Sequence, residues 1–523
     1  MGQVEFSRED IEQIEHQGLT EEQVRGQIAL FEKGAPFAKL HRPATAGDGI
    51  RKFSGDEIEH YSRVYDETVR GRRLTKFVPA SGAATRMFKS LLKVHGGGLR
   101  IERSVIADRA AGEGGEYGDV LRFMDHIDRF AFYDALKARM ADAGLNLEEL
   151  REKGDYTAAI DVLLSDHGLG YANRPKGQIL FHRYLDGARI AFEEHLVEAA
   201  EYVRDDNGNC RLHFTVSPEH ETGFRDLLEQ TAPAHERSGA VRFEVSFSRQ
   251  DPSTDTLAVD LENRPFREAD GRLLFRPGGH GSLIRNLDRL DGDIVFIKNV
   301  DNVVPDRLKG ETYRWKKVLG GYLLTLEQKI REFQRRLACC ATDRGAVSAV
   351  EAFARKELSI TLPDTLAGAS PEKRGGFLAE QLDRPLRVCG MVPSSGEPGG
   401  GPFWVRDDKG GLSLQIVESA QIDPDSPEQQ AILKGLTHFN PVDVVCSLRD
   451  GRGTPYDLDR FIDRNAIFIS RKSKDGRDLK ALEHPGLWNG GMAFWNTVFV
   501  EVPLVTFNPV KSVNDLLRDE HQG

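Results

Sequence analysis

The sequence predicts an α/β protein built on a doubly wound, mixed or parallel sheet. Three observations carry that expectation. From about residue 74, short apolar runs alternate with amphipathic stretches, as in chains that build parallel sheets with helical crossovers. Gly, Pro, Asn and Asp punctuate most of the joins. The two ends differ in texture: the chain reads as helical before residue 73, and as short, Gly/Pro-punctuated strands after 386.

Each element has its own signal. Residues 7–71 read as helices: Thr20-Glu21-Glu22-Gln23 is a capping box, Gly34 with Pro36 closes that helix, and a second helix over 56–70 stops at Gly71. Residues 74–80 (LTKFVPA) read as a buried strand and 83–94 as the helix leaving it. A mostly helical stretch runs from Gly96-Gly97-Gly98 to about 170, with a Gly-rich break at 112–118. Strands are expected at 178–184, 210–217, 241–248 and 293–298, and helices at 188–203, 219–230 and 280–290. Residues 310–382 read as helices again. The chain thus divides into an N-terminal helical region (1–73), one half of the core (74–95 with 171–310) and a helical insertion (96–170). A helical segment (311–382) and a C-terminal mixed α/β region (383–523) follow.

Composition narrows the function. Asp and Glu outnumber Lys and Arg by 82 to 71, a formal net charge of -11, so the global basic footprint of a nucleic-acid binder is missing. No apolar run approaches the roughly 18 residues of a membrane helix. The start, MGQVEFSRED, lacks the apolar core of a signal peptide. Five scattered cysteines without a C-x-x-C pair fit a reducing cytoplasm. Nothing specifies an oligomer. Glycine stands out, at 52 of 523 residues, above the usual share of about 7%.

Four segments can carry chemistry. Ala80-Ser81-Gly82-Ala83-Ala84-Thr85-Arg86 joins a strand to a helix. Small residues there let backbone N–H groups and a helix N-terminus approach a phosphate, with Arg86 and Lys89 as nearby cations. The segment reads equally as an ordinary tight turn. Arg174-Pro175-Lys176-Gly177 holds a lysine that matters only if the fold carries it to that loop. Arg276-Pro277-Gly278-Gly279-His280-Gly281-Ser282 combines backbone openness with an imidazole donor, or is a plain glycine turn. Asp301 follows an apolar strand, at the carboxyl end where open α/β sheets bind ligands. It can hold Mg²⁺ or cap a turn.

Taken in order, these segments resemble the UDP-sugar pyrophosphorylases, the branch of the nucleotide-diphospho-sugar transferases that acts on UDP-glucose and UDP-N-acetylglucosamine. The family's G-G-x-G-T-R is matched by Ser81–Arg86, its P-K-G by Pro175-Lys176-Gly177, its P-x-G-H-G by Pro277–Gly281, and its S-D-N by Val300-Asp301-Asn302. Glu397-Pro398 and Val417-Glu418-Ser419 resemble its E-P and V-E-Y-S stretches, Phe439-Asn440 its F-N, and Phe247–Gln250 an F-x-x-Q segment. The whole chain also resembles a bacterial family of unknown function that carries P-A-S-G-A-A-x-R-M-F-K. Departures are visible: Ser81 and Ala84 replace two loop glycines, Arg86 and Lys176 stand 90 residues apart, and Ser282 replaces an expected Asp.

The resemblance implies transfer of a nucleotidyl group from a nucleoside triphosphate, UTP first, to a sugar 1-phosphate, releasing pyrophosphate with Mg²⁺. It makes 74–95 and 171–310 the nucleotide-binding half and 383–523 the sugar-binding region. Arg86 and Lys176 would be catalytic and Asp301 would hold the metal. Ala80, Ser81, Gly82, Ala83, Gln250, Gly279, His280 and Gly281 would contact the nucleotide, and Glu418 and Asn440 the sugar. Lys480 and Trp488-Asn489-Gly490-Gly491 are further candidates for the sugar pocket, or a surface lysine and a turn. Two other readings fit the same residues: a nucleotide-sugar-dependent glycosyltransferase, and a catalytically inactive nucleotide-sugar-binding protein.

Overall fold

Three hydroxyl caps start the N-terminal helices. Ser7, Thr20 and Ser54 each accept the third helical N–H, and the side chains of Asp10, Gln23 and Glu57 accept the cap N–H in return. This gives helices Arg8–His16, Glu21–Lys33 and Gly55–Thr68. Three short strands, Leu40–Pro43, Thr45–Ala46 and Gly49–Arg51, stand between the two expected helices, in a region read as helical. Pro43 and the positive φ of Gly47 (85°) and Gly49 (96°) are incompatible with helix there. The structure is a computed structural model and describes residues 4–523 except 83, 99, 341–342, 395, 397–398 and 408–409, with backbone alone at 340, 441 and 442.

The chain forms two compact units. The first comprises residues up to Thr75, Ser248–Ile297 and Lys317–Leu504; the second comprises Lys76–Phe247, Lys298–Lys316 and Val505–Gly523. In the first unit the strands Thr45–Ala46, Gly49–Arg51, Asn496–Glu501, Leu386–Pro393, His438–Ser447 and Ile294–Lys298 lie side by side in that order. Leu386–Pro393 runs parallel to Asn496–Glu501 and antiparallel to His438–Ser447, so the sheet is mixed. A separate apolar cluster joins Ile14, Val24, Ile28 and Phe31 of the N-terminal helices to Leu257, Val259 and Leu482.

In the second unit the strands Leu74–Pro79, Asn209–Thr215 and Arg242–Ser248 are neighbours in that order, the first two parallel with Lys76 opposite Leu212. Helices Ala191–Tyr202 and Glu221–Gly239 accompany them. The strand expected at 178–184 is one arm of an antiparallel hairpin, Leu180–Tyr184 with Gly187–Ile190, turned at Leu185-Asp186. The following helix therefore starts at Ala191.

The 96–170 insertion is helical, as its pattern predicts. Its helices include Arg103–Glu113, Gly115–Asp125, Tyr133–Asp142, Leu147–Glu152 and Thr157–Leu164. Their apolar faces form one core with Phe88 and Leu91 and with Val513 and Leu516 near the chain's end. Phe123, Phe130 and Phe132 pack ring on ring at its centre, with centroids 4.9–5.0 Å apart between successive rings. Truncating one such ring costs about 3–5 kcal/mol. The insertion thus underpins both the helix after the first loop and the C-terminal segment. No helix among the described residues is long and apolar enough to cross a membrane.

Candidate functional site

The first strand is buried along most of its length, Leu74–Val78, and delivers the chain to the 80–84 loop. Ala80 extends the sheet pairing by donating its N–H to Thr215 O at 2.9 Å. The helix expected from residue 83 does not begin there. A short 3-10 turn, Ala84–Arg86, comes first, and the α-helix Lys89–Gly96 starts later on Phe88, which gives no side-chain cap. A distant partner intervenes: the Ala84 N–H is taken by Arg174 O at 3.0 Å. The loop therefore presents only N–H groups of its own, and the α-helix terminus is not part of it. Ala83 lies outside the described residues.

That backbone bond brings the second segment to the first. With Lys176 N–H donating to Gly82 O at 3.4 Å, it ties 174–176 along 82–84. Gly177 is needed for the approach, because a β-carbon there would stand 2.7 Å from Phe224 and 3.3 Å from Val300. The Lys176 ammonium donates to Asp301 Oδ2 at 2.5 Å and to Val510 O at 2.6 Å. Both side chains are mostly shielded, at 15% and 16% exposure. Three of the expected positions (the loop, Lys176 and Asp301) thus share one cluster. Arg86 is exposed and makes no side-chain hydrogen bond or ion pair among the described residues.

Val510 carries no residue-type signal, since it contributes a backbone carbonyl. Its segment is held in place by Asn302, which accepts the Asn508 N–H at 2.8 Å and donates to Thr506 O at 3.3 Å. The Val510 N–H donates to Asp301 O.

Beneath the cluster is a buried ionic network. Lys76, on the strand leading to the loop, donates to Glu198 Oε2 at 2.8 Å and to His195 O at 3.1 Å. Lys298, three residues before Asp301, donates to Glu198 Oε1 at 2.8 Å. His195 Nε2 donates to Val300 O at 3.1 Å. One carboxylate on helix Ala191–Tyr202 therefore ties both strands that end at the site. Burial pushes Lys76 down to about 7, against the pull of Glu198. Burial opposes the charge of Glu198 too, but Lys298 and Lys76 outweigh it and hold the carboxyl well below its usual range. Burial keeps His195 neutral.

The first unit holds a second cluster. His280 Nδ1 accepts the Leu487 N–H at 3.0 Å, so the ring proton sits on Nε2 and is donated to Glu418 Oε1 at 3.1 Å. Trp488 stacks on the imidazole, 4.2 Å between centroids at 18°. Glu418 caps the turn Ser419–Gln421, and Asn489 Nδ2 donates to Gln421 Oε1 at 3.4 Å. The buried Asn489 Oδ1 has no partner among the described residues. The residues expected to meet nucleoside and sugar, His280 and Glu418, are thus one hydrogen-bonded pair.

Other expected positions have structural partners. Gln250 donates to Asp255, which also accepts from Gln17. Lys480 donates to Leu261 O and Asn263, holding a turn. Asn440 is buried in the strand His438–Ser447. Gly279 has φ +78°, and the room at Gly278 and Gly281 is taken by His484, Thr254 O and Pro485 O. Those glycines admit the protein's own 483–486 segment. Glu397 and Pro398 lie outside the described residues.

No group of three or more His, Cys, Asp or Glu among the described residues is arranged to hold a metal by itself. Asp301 Oδ2 and Val510 O are nonetheless hard oxygen donors converging on one cation, the Lys176 ammonium. A single carboxylate suits Mg²⁺, which keeps waters and takes its remaining ligands from phosphates.

A search of curated protein sequences finds no significant match. Among solved structures, the chain is similar to the UDP-N-acetylglucosamine pyrophosphorylase of Trypanosoma brucei, at 14% identity and a TM-score of 0.47, covering 95% of this chain and 74% of that one. It is also similar to a mutant UDP-glucose pyrophosphorylase of Leishmania major (12%, 0.43, covering 97% and 77%). A third is the putative UDP-N-acetylglucosamine pyrophosphorylase of Entamoeba histolytica (9%, 0.37, covering 86% and 78%). A family described as a domain of unknown function, DUF4301, matches residues 7–522, and the chain belongs to that family.

Proposed function

We propose that the protein is a nucleotidyltransferase that joins a nucleoside triphosphate, UTP first, to a sugar 1-phosphate and releases pyrophosphate. The observation that carries this reading is the convergence of the 80–84 loop, Lys176 and Asp301, which are far apart in sequence. A phosphate oxygen of the sugar phosphate attacks the α-phosphorus, the new O–P bond forms, and the α–β bridging P–O bond breaks as pyrophosphate leaves. No general base is required, because the second pKa of a phosphate ester is about 6. The task is to bring anions together and spread the charge of an in-line displacement.

An ammonium has three N–H donors. Two of those on Lys176 are used by Asp301 and Val510 O, leaving one for a phosphate oxygen. Lys176 is held by two fixed acceptors, so it offers that donor without reorganising. N–H groups of Ser81 and Gly82 and the exposed Arg86 would bind the triphosphate and the departing pyrophosphate, while the Ala80 N–H, expected to join them, is spent on Thr215 O. Mg²⁺ would be held by Asp301, where it would supply Lewis-acid neutralisation of the phosphates. Gln250 and His280 are proposed for the nucleoside, and Glu418 and Asn440 for sugar hydroxyls; Gly279 and Gly281, expected beside His280, are taken up by packing on the 483–486 segment. Each is read out by the KM of its own substrate.

The test is pyrophosphate release with Mg²⁺, each nucleoside triphosphate and a panel of sugar 1-phosphates. Release with UTP and at least one sugar phosphate is expected, and Lys176→Ala should lower kcat about a hundredfold or more. Binding of nucleotide sugar without pyrophosphate from any pair would replace this reading with the non-catalytic one.

A further inference from the structure

The second unit contains a cavity of about 540 Å³, within the usual size of small-molecule sites. None of the residues assigned above to nucleotidyl transfer lines it. Its apolar wall is Phe181, Ala131 and Pro305, with Leu185 fully exposed on the rim at the tip of the Leu180–Tyr184 hairpin. Three arginines, Arg129, Arg183 and Arg307, complete the lining.

The charge balance of this cavity is positive. Its two acids are engaged by cations outside it: Asp128 accepts from Arg151 at 3.0 Å, and Asp306 accepts from Arg189 and Lys309, both at 2.8 Å. The arginines are held mainly by neutral groups. Arg183 donates to the carbonyls of Asp128 and Phe130, and its closest carboxylate, Asp134, stands off at 3.9 Å. Arg307 donates to the carbonyls of Gln522 and Asp519. Arg129 is exposed, and its guanidinium makes no bond among the described residues. The floor is neutral. His521 Nε2 accepts from Arg518 at 3.3 Å, its Nδ1 bonds His182 Nε2 at 3.0 Å, and His182 Nδ1 bonds Glu194 at 2.8 Å. Every ring nitrogen there is used, so the cavity's excess charge comes from the three guanidinium groups. Guanidinium suits phosphate, sulfonate or carboxylate oxygens, and it retains spare donors after bonding a carbonyl.

We infer that this cavity is a second binding site, for a small amphiphilic anion: one acidic head on Arg129, Arg183 and Arg307, and an apolar body against Phe181, Ala131, Pro305 and Leu185. Such a ligand would rest on the C-terminal segment, the same one that places Val510 O on Lys176.

The probe is 8-anilinonaphthalene-1-sulfonate, titrated by fluorescence into the full chain, with deuterium exchange to locate it. One site per chain is expected, with protection at 128–131, 181–185 and 519–523. Arg129→Glu and Leu185→Ser alter exposed side chains, so melting should not change, and each should weaken binding at least tenfold. Unchanged affinity in both variants, no binding, or protection elsewhere would overturn the site. Inorganic phosphate at the same concentration should give no protection. If it protects as well as the sulfonate, the apolar half of the assignment is wrong.

Discussion

The two clusters use glycine in opposite ways. In the first unit the 278–281 turn has no spare room: a β-carbon at Gly278 would stand 2.3 Å from His484, and one at Gly281 2.2 Å from Pro485 O. In the second unit, a β-carbon at Gly82 would meet nothing within 4 Å among the described residues. Glycine density in the 278–281 turn therefore reflects the protein packing on itself. Gly82, the one glycine of the 80–84 loop, faces open space, which is what close approach of a phosphate needs, while Gly177 in the same cluster is packed on Phe224. The clusters differ in charge as well: the second unit stacks buried lysines under its loop, while the first pairs an imidazole with the Glu418 carboxylate beside an indole and an amide.

The largest effect should come from removing the shared carboxylate. Glu198→Ala leaves Lys76 and Lys298 buried without a counter-ion and should cost about 3–5 kcal/mol, read as a lowered denaturation midpoint. A loss under about 1 kcal/mol would mean that the network does not tie the two strands. Acid should come next. Burial lowers His213 to about 4 and His521 to about 2. Both folded values lie below the unfolded value of about 6.5, so the unfolded chain takes up protons first as pH falls. The stability these groups support is complete above about pH 6.5 and is lost as pH drops toward 4 and below. Denaturation midpoints that stay level from pH 7 to 4 would refute this. Gly281→Ala should cost about 1–3 kcal/mol through overpacking against the Pro485 carbonyl. The smallest change is Gly82→Ala, within about 0.5 kcal/mol of wild type in stability. It should nevertheless raise the nucleotide KM. Equal destabilisation by the two glycine substitutions would erase the contrast between the clusters.

Much of the secondary structure was legible because local signals decide it. Ser7, Thr20 and Ser54 announce their helices, the apolar run of 74–78 announces its strand, and the insertion's apolar period announces its core. The errors came from partners distant in sequence. The helix after the first strand starts late because Ala84 gives its N–H to Arg174, a residue 90 positions on. In AFEEHLVEAAEY, Glu193, Glu194, Glu198 and Glu201 look alike as sequence. Glu198 is the one between two buried lysines because those lysines lie on strands 122 and 100 residues away. Val510 could not be anticipated at all, since a backbone carbonyl is common to every residue.

The sequence by itself therefore determined the alternation of strands and helices, the helix caps, and the residue types able to meet phosphate. Those follow from short-range sterics, capping and hydrophobic period. Only the tertiary structure decided that Lys176 reaches both the 80–84 loop and Asp301, and that Glu198 ties the strands beneath them. It also decided that the glycines of 278–281 serve packing. These are contacts between groups hundreds of atoms apart along the chain, and their energies depend on burial and on which partner arrives, neither of which is written in a local stretch of residues.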